Sequence, residues 1–97
     1  MSKRSYYVYI LTNANHTVLY TGVTSDLVHR VGRHRLGQGS AFTKAYNASR
    51  LVYYESGGDI GSIIAREKQI KAGSRAKKVA LVEAANPEWK DLYEELV

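Results

Sequence analysis

No cysteine occurs among the 97 residues of this chain. That absence excludes disulfides and thiolate metal sites and fits a reducing compartment. No stretch approaches the ~20 consecutive apolar residues of a membrane-spanning helix. The opening Met1-Ser2-Lys3-Arg4 is basic, but no long apolar segment follows it, so a secretory signal is not expected either. Internal repeats, low-complexity segments and P-loop, GxGxxG, His-Glu-x-x-His and EF-hand patterns are all missing, which argues against nucleotide-cofactor, zincin and calcium-sensor functions. The length and the 44% hydrophobic content suffice for one modest core and not two. The expectation is a single domain over residues 1–97, with its core from Tyr6 to Leu96, in a soluble cytoplasmic protein without a membrane partner.

Acidic residues are scarce over most of the chain. Before residue 83, 13 basic side chains face 4 acidic ones, whereas from Glu83 onward Lys90 alone faces Glu83, Glu88, Asp91, Glu94 and Glu95. Such a basic body suits a polyanionic partner such as nucleic acid, because each phosphate neutralised by Lys or Arg releases condensed counterion. A well-solvated surface would give the same charge count.

Aromatic and β-branched residues concentrate in two runs, Tyr6-Tyr7-Val8-Tyr9-Ile10-Leu11 and Val18-Leu19-Tyr20-Thr21-Gly22-Val23, separated by the polar Thr12-Asn13-Ala14-Asn15-His16-Thr17. This pattern predicts a β-hairpin. A turn centred between Ala14 and Asn15 sets Tyr9 opposite Tyr20 and Tyr7 opposite Gly22, with the Tyr9 and Tyr20 phenols on one face within reach of one substrate. Packing in a core is the competing explanation. Beyond the hairpin, Thr24 and Ser25 offer N-cap oxygens and Asp26 favours the positive end of a helix running to Leu36. Leu27 and Val31 mark its inward face, flanked by Arg30 and His34. For Arg30 the alternative is an ion pair with Asp26, worth only ~0.3–0.5 kcal/mol at a surface; for His34 it is a solvated or merely hydrogen-bonded imidazole.

Around Phe42 and Tyr46 a short helix or loop is expected, followed by a third strand, Leu51-Val52-Tyr53-Tyr54, and a turn over Ser56-Gly57-Gly58-Asp59. Asp59 then caps a helix that Gly73 ends at C′. Its apolar stripe of Ile60, Ile63, Ile64 and Ile70 is interrupted by Glu67. An unpaired buried carboxylate costs several kcal/mol, so Glu67 requires compensation. Lys71, four residues on, supplies it as an ion pair; a divalent cation with a largely aqueous shell, such as Mg²⁺, is the other solution. Ser74 starts a further helix with Lys77 and Lys78, and Asn86 caps a last one with Pro87 at its first position, followed by Trp89, Leu92, Tyr93 and Leu96 in core spacing.

Together, Tyr7-Val8-Tyr9, Tyr20-Thr21-Gly22, Leu27, Arg30 and the later Glu67 resemble a GIY-YIG nuclease domain. The stretches Leu51-Val52-Tyr53-Tyr54-Glu55, Glu67-Lys68-Gln69-Ile70-Lys71 and Asn86-Pro87-Glu88-Trp89-Lys90-Asp91-Leu92 are similar to the small standalone bacterial members. The resemblance implies an α+β fold, three antiparallel strands flanked by helices, and metal-dependent endonuclease activity on DNA rather than RNA, in repair or in processing of unusual structures. It implies that Tyr9 and Tyr20 supply a general base or water-positioner and its orienting partner. Arg30 is then expected to stabilise charge on the transferring phosphate, which its permanent charge and planar fork suit. Glu67 is expected to hold a single Mg²⁺ or Mn²⁺, and His34 to move a proton or orient a tyrosine. Gly22 and Asn86 are supporting positions. Arg33, Arg35, Lys44, Lys71, Lys77 and Lys78 are the expected nucleic-acid contacts.

Two motif positions depart from the family pattern, Tyr7 for the first glycine and Thr21 for the middle residue of the second triplet. A local packing change is expected from them rather than loss of activity, with Gly22 making room for Tyr7. Weak sequence preference, or specificity borrowed from a protein partner, is also expected. The contrasting possibilities are a nucleic-acid-binding module without turnover and an interaction protein in which Lys71 ties up Glu67.

Overall fold

Residues 5–97 are described by the structure, a computed structural model; the basic opening segment, residues 1–4, lies outside them. The first two aromatic runs form β1 (Tyr6–Thr12) and β2 (Leu19–Thr24). Between them Asn13 organises the turn. Its side-chain oxygen accepts the Thr17 and Val18 N–H groups at 2.8 and 3.3 Å, its main-chain oxygen accepts the His16 N–H at 3.0 Å, and His16 takes φ 55°. These bonds move the turn centre one residue later than the sequence pattern suggests. Tyr9 therefore pairs with Gly22, Leu11 with Tyr20, and Tyr7 with Thr24, correcting the expected Tyr9–Tyr20 and Tyr7–Gly22 pairs. Partners move by two residues, so every side chain keeps its face, and Tyr9 and Tyr20 become diagonal neighbours.

β3 (Arg50–Gly57) pairs antiparallel with β1, giving the order β2-β1-β3. Ser56 and Gly57 extend this strand against Tyr7 and Tyr6 instead of turning. A bulge opposite Ile10 and Leu11 leaves Val52 unpaired in the ladder, so Leu51 and Tyr53 serve opposite faces. Central β1 is buried without interruption from Val8 to Thr12, because helices cover both faces of the sheet. On one face Val8, Ile10, Val52 and Tyr53 meet Ile63 and Ile70 of α3 (Ile60–Ala72) and Val82 of α4 (Arg75–Ala85). On the other, Tyr9, Leu11 and Leu51 meet Leu27 and Val31 of α1 (Leu27–Arg35), with Ala48 after the short α2 (Ala41–Tyr46). The fold is thus α+β, a three-stranded antiparallel sheet flanked by helices.

Asp59 and Ser74 cap α3 and α4 by accepting the Ser62 and Lys77 N–H groups. Thr24 and Ser25 do not cap α1; Asp26 does, accepting from His29 N at 3.1 Å. Gly73 is the extended C-cap of α3, with φ −74°, and not a left-handed C′. The expected helix from Asn86 shrinks to α5 (Tyr93–Leu96). Asn86 is buried as the C-cap of α4; its amide donates to Val52 O and Lys90 O and its oxygen accepts from Lys90 N. That closed loop, with Trp89 at φ 55° and stacked 4.8 Å from His16, satisfies both polar atoms of the buried Asn86 side chain. Trp89 accordingly packs against the core.

Candidate active site

Tyr9 stands at the middle of β1 and is 1% exposed. Its ring lies over Gly22, where a Cβ would sit 2.5 Å from both Cζ and Oη. Glycine at that position therefore makes room for Tyr9, not for Tyr7, which instead packs edge-on against Tyr54 with centroids 6.4 Å apart. Tyr20, one diagonal step away, places its ring 6.3 Å from that of Tyr9. Phe42 and then Tyr46 continue the aromatic row outward from Tyr20, at 6.0 and 4.8 Å.

His34 does not flank the inward face of α1. It completes that face after Leu27 and Val31 and is only 5% exposed. Its Nε2 lies 3.2 Å from Tyr9 Oη, and its Nδ1 lies 2.9 Å from Thr43 Oγ1. The loop after α1 closes over the imidazole so tightly that a Cβ on Gly39 would fall 2.0 Å from Nδ1. Thr43 and Gly39 are therefore site residues absent from the expected set. Their only sequence signal is the Gly-Ser start of a short helix with a threonine three residues after its cap.

Arg30 extends from the exposed side of α1, and no ion pair involves it among the described residues. Asp26, its expected partner, is used as the helix cap. α3 packs against both β1 and β2. Its rotation is held by Arg66, whose guanidinium bonds the Glu55 carboxylate of β3 at 2.9–3.1 Å; Tyr53 Oη donates to the same carboxylate. One position on, Glu67 lies between buried Ile63 and Ile70 with its side chain 14% exposed, and Lys71 Nζ reaches its Oε2 at 2.6 Å. Ile60 and Ile64 are exposed, so the apolar stripe is narrower than expected.

Burial, aided by Tyr20 and Glu67 and opposed by Arg30, holds the Tyr9 phenol well above its ordinary pKa. Burial and the positive charges of Arg30 and Arg33 push the His34 imidazole below its ordinary value. At neutral pH the site therefore holds a neutral phenol beside a neutral imidazole. The unfolded chain takes up the His34 proton below about pH 6.5, while the native state resists it, so stability is complete above that pH and falls as pH drops towards the native pKa. Thermal melts from pH 7.5 to 5.5 should show a loss in wild type that is reduced in His34→Asn.

The basic residues separate into distinct groups. Arg35 is committed to the fold, bonding Asp91 at 2.6 Å and Ser49 O at 3.2 Å and lying 4.6 Å over the Tyr93 ring. It is thus not a free phosphate contact. Lys71 is engaged by Glu67. Arg33 and Lys44 are exposed. Lys77 and Lys78 line a groove of about 390 Å³ with Arg66 and Gln69, on the α3–α4 side of the sheet and away from the Tyr9 ring. Asn86 has its polar atoms consumed by the loop it closes and is structural. Among the described residues no group of three His, Cys, Asp or Glu side chains is arranged to hold a metal, and no helix is long and apolar enough to cross a membrane.

Comparisons with known proteins meet this geometry. The model of the GIY-YIG catalytic domain matches residues 5–80. A UPF0213 protein of Syntrophus aciditrophicus is 40% identical over 91% of this chain and 98% of its own. One from Natronomonas pharaonis is 40% identical over 79% of this chain and 89% of its own. The solution NMR structure of a UPF0213 protein from Bacillus halodurans superposes with a TM-score of 0.58 at 30% identity, covering 90% of this chain and 92% of that one. With that match running from β1 into α4, through both tyrosine triplets, Arg30 and Glu67, this chain belongs to the GIY-YIG family of nucleases.

Proposed function

We propose that this chain is a Mg²⁺- or Mn²⁺-dependent endonuclease hydrolysing phosphodiester bonds in DNA, with a role in repair or in processing unusual DNA structures. The observation carrying the proposal is the contact at one phenol: His34 Nε2 lies 3.2 Å from Tyr9 Oη, and the Tyr20 ring packs against both rings. A buried phenol with a raised pKa is a poor base alone. It becomes effective when its proton passes to a neutral imidazole as it takes one from the attacking water. Tyr9 and His34 form such a relay. The resulting hydroxide attacks phosphorus and the bond to the leaving oxygen breaks. Tyr20, in contact with both Tyr9 and His34, orients the water, and Arg30 pairs with the non-bridging oxygens of the phosphate.

The donor set fits a small hard cation. Glu67 offers a single, slightly exposed carboxylate, which suits an ion that retains most of its waters. When bound there, the ion would polarise the phosphate and stabilise charge on the leaving oxygen. Lys71 competes for the same carboxylate. A half-exposed ion pair is worth at most about 1 kcal/mol, so Lys71→Met should lower the Mg²⁺ concentration for half-maximal binding by up to about fivefold. Calorimetric titration of Mg²⁺ into both proteins checks this.

The same ion pair favours a second reading, a nucleic-acid-binding module in which Glu67 is already satisfied. Cleavage assays with Mg²⁺ and with chelator separate the two. Metal-dependent cleavage supports the enzyme, whereas binding that strengthens at low salt without any cleavage supports the module.

A further inference from the structure

We propose that Thr43 is a positioning residue that holds His34 as the Nδ1-protonated tautomer, leaving Nε2 bare to receive the Tyr9 proton. The inference rests on the relay proposed above and specifies its direction. A neutral imidazole has one N–H, and a threonine hydroxyl has one O–H. Of the three polar atoms around Thr43 Oγ1, Ser40 O at 3.0 Å, which also takes the Lys44 N–H, can only accept, whereas Ser40 Oγ at 3.2 Å and His34 Nδ1 can each donate, so we assign the threonine proton to Ser40 O. Towards His34 Nδ1, 2.9 Å away, the same oxygen is then an acceptor, and the ring proton resides on Nδ1. Nε2 consequently carries a lone pair, and Tyr9 Oη–H is the donor across the 3.2 Å contact.

Burial enforces this assignment. Thr43 is 2% exposed and His34 5%, and the absence of a Cβ on Gly39 lets the loop close onto Nδ1. Ser40 Oγ also accepts the Thr43 N–H at 3.2 Å, so the acceptor is fixed to the start of α2. The opposite tautomer would aim Nε2–H at the phenol oxygen and require Thr43 to abandon Ser40 O. A partner that fixes the far nitrogen of a histidine sets which face of the ring works as a base.

The test reads the tautomer directly and does not depend on turnover. Long-range ¹H–¹⁵N correlation spectra of the His34 ring at pH 8 should show Nδ1 protonated and Nε2 bare in wild type and in Thr43→Ser. In Thr43→Val, which lacks the acceptor, the signals should shift to the reverse form or a mixture, and kcat for cleavage should fall about tenfold or more with KM little changed. Nε2–H or an equal mixture in wild type overturns the proposal, as does a Thr43→Val spectrum identical to wild type. If Thr43→Val does not fold, the wild-type and Thr43→Ser spectra still decide. Absence of cleavage in wild type with the expected spectra would refute the nuclease reading and leave the tautomer assignment standing.

Discussion

Arg30→Ala is expected to reduce phosphodiester cleavage by about 10³-fold, within the range seen when a phosphate-stabilising arginine is withdrawn, and Glu67→Ala to lower it at least as far. Stability should behave differently. Arg30 is exposed and makes no ion pair among the described residues, so its removal should stay within about 0.5 kcal/mol of wild type. Glu67 interrupts an apolar line between Ile63 and Ile70, and Ala there frees only Lys71, which is 53% exposed. The Glu67→Ala protein should therefore stay within about 1 kcal/mol of wild type, because the half-exposed pair that is lost is worth no more than that. Catalytic loss without destabilisation marks a residue retained for chemistry. Cleavage of single-stranded, duplex and branched DNA and of RNA, with Mg²⁺ and with chelator, measures the first quantity and urea unfolding the second. Equal residual cleavage in wild type and both variants would attribute the activity to a contaminant.

Gly22→Ala should damage fold and activity together. The added methyl would sit 2.5 Å from Tyr9 Cζ and Oη, and the Tyr9 ring is 1% exposed, so any retreat disturbs the buried core around it. Overpacking of this kind costs about 1–3 kcal/mol. Displacing Oη also breaks its alignment with His34, for which a loss of about 10²-fold is expected from a 1 Å misplacement. A Tyr9→Leu background tests the cause, because leucine lacks the Cζ, Oη and Cε1 atoms that the methyl meets. In that background Gly22→Ala should cost little further stability, while activity stays lost. An equal cost in both backgrounds would place the strain in the strand backbone.

Much of this architecture is legible in the sequence. The two aromatic runs and the caps at Asp59 and Ser74 follow from patterns local to a few residues, and the family resemblance supplied the α+β class and ordered Tyr9, Tyr20, Arg30 and Glu67. The failures arise where distant groups decide. The hairpin register turns on Asn13, whose side chain bonds across the loop, and on His16 adopting left-handed φ. Asn86 reads locally as a helix start, yet its amide is claimed by Val52 of β3. Asp91, 56 positions along the chain, captures Arg35, and the burial of His34 depends on a loop that only Gly39 lets close. Periodicity carries no information about such pairings.

Tyr9 and the threonine that positions His34 sit in very different parts of the molecule. Tyr9 belongs to a strand paired on both edges and covered on both faces, whereas Thr43 is the single buried residue of a six-residue helix. Regions of the second kind open at a small fraction of the free energy needed to unfold the whole. Heating should accordingly detach the hydroxyl that aligns the imidazole while the tyrosine remains in place, so the working temperature range is set by α2 and not by the melting of the sheet.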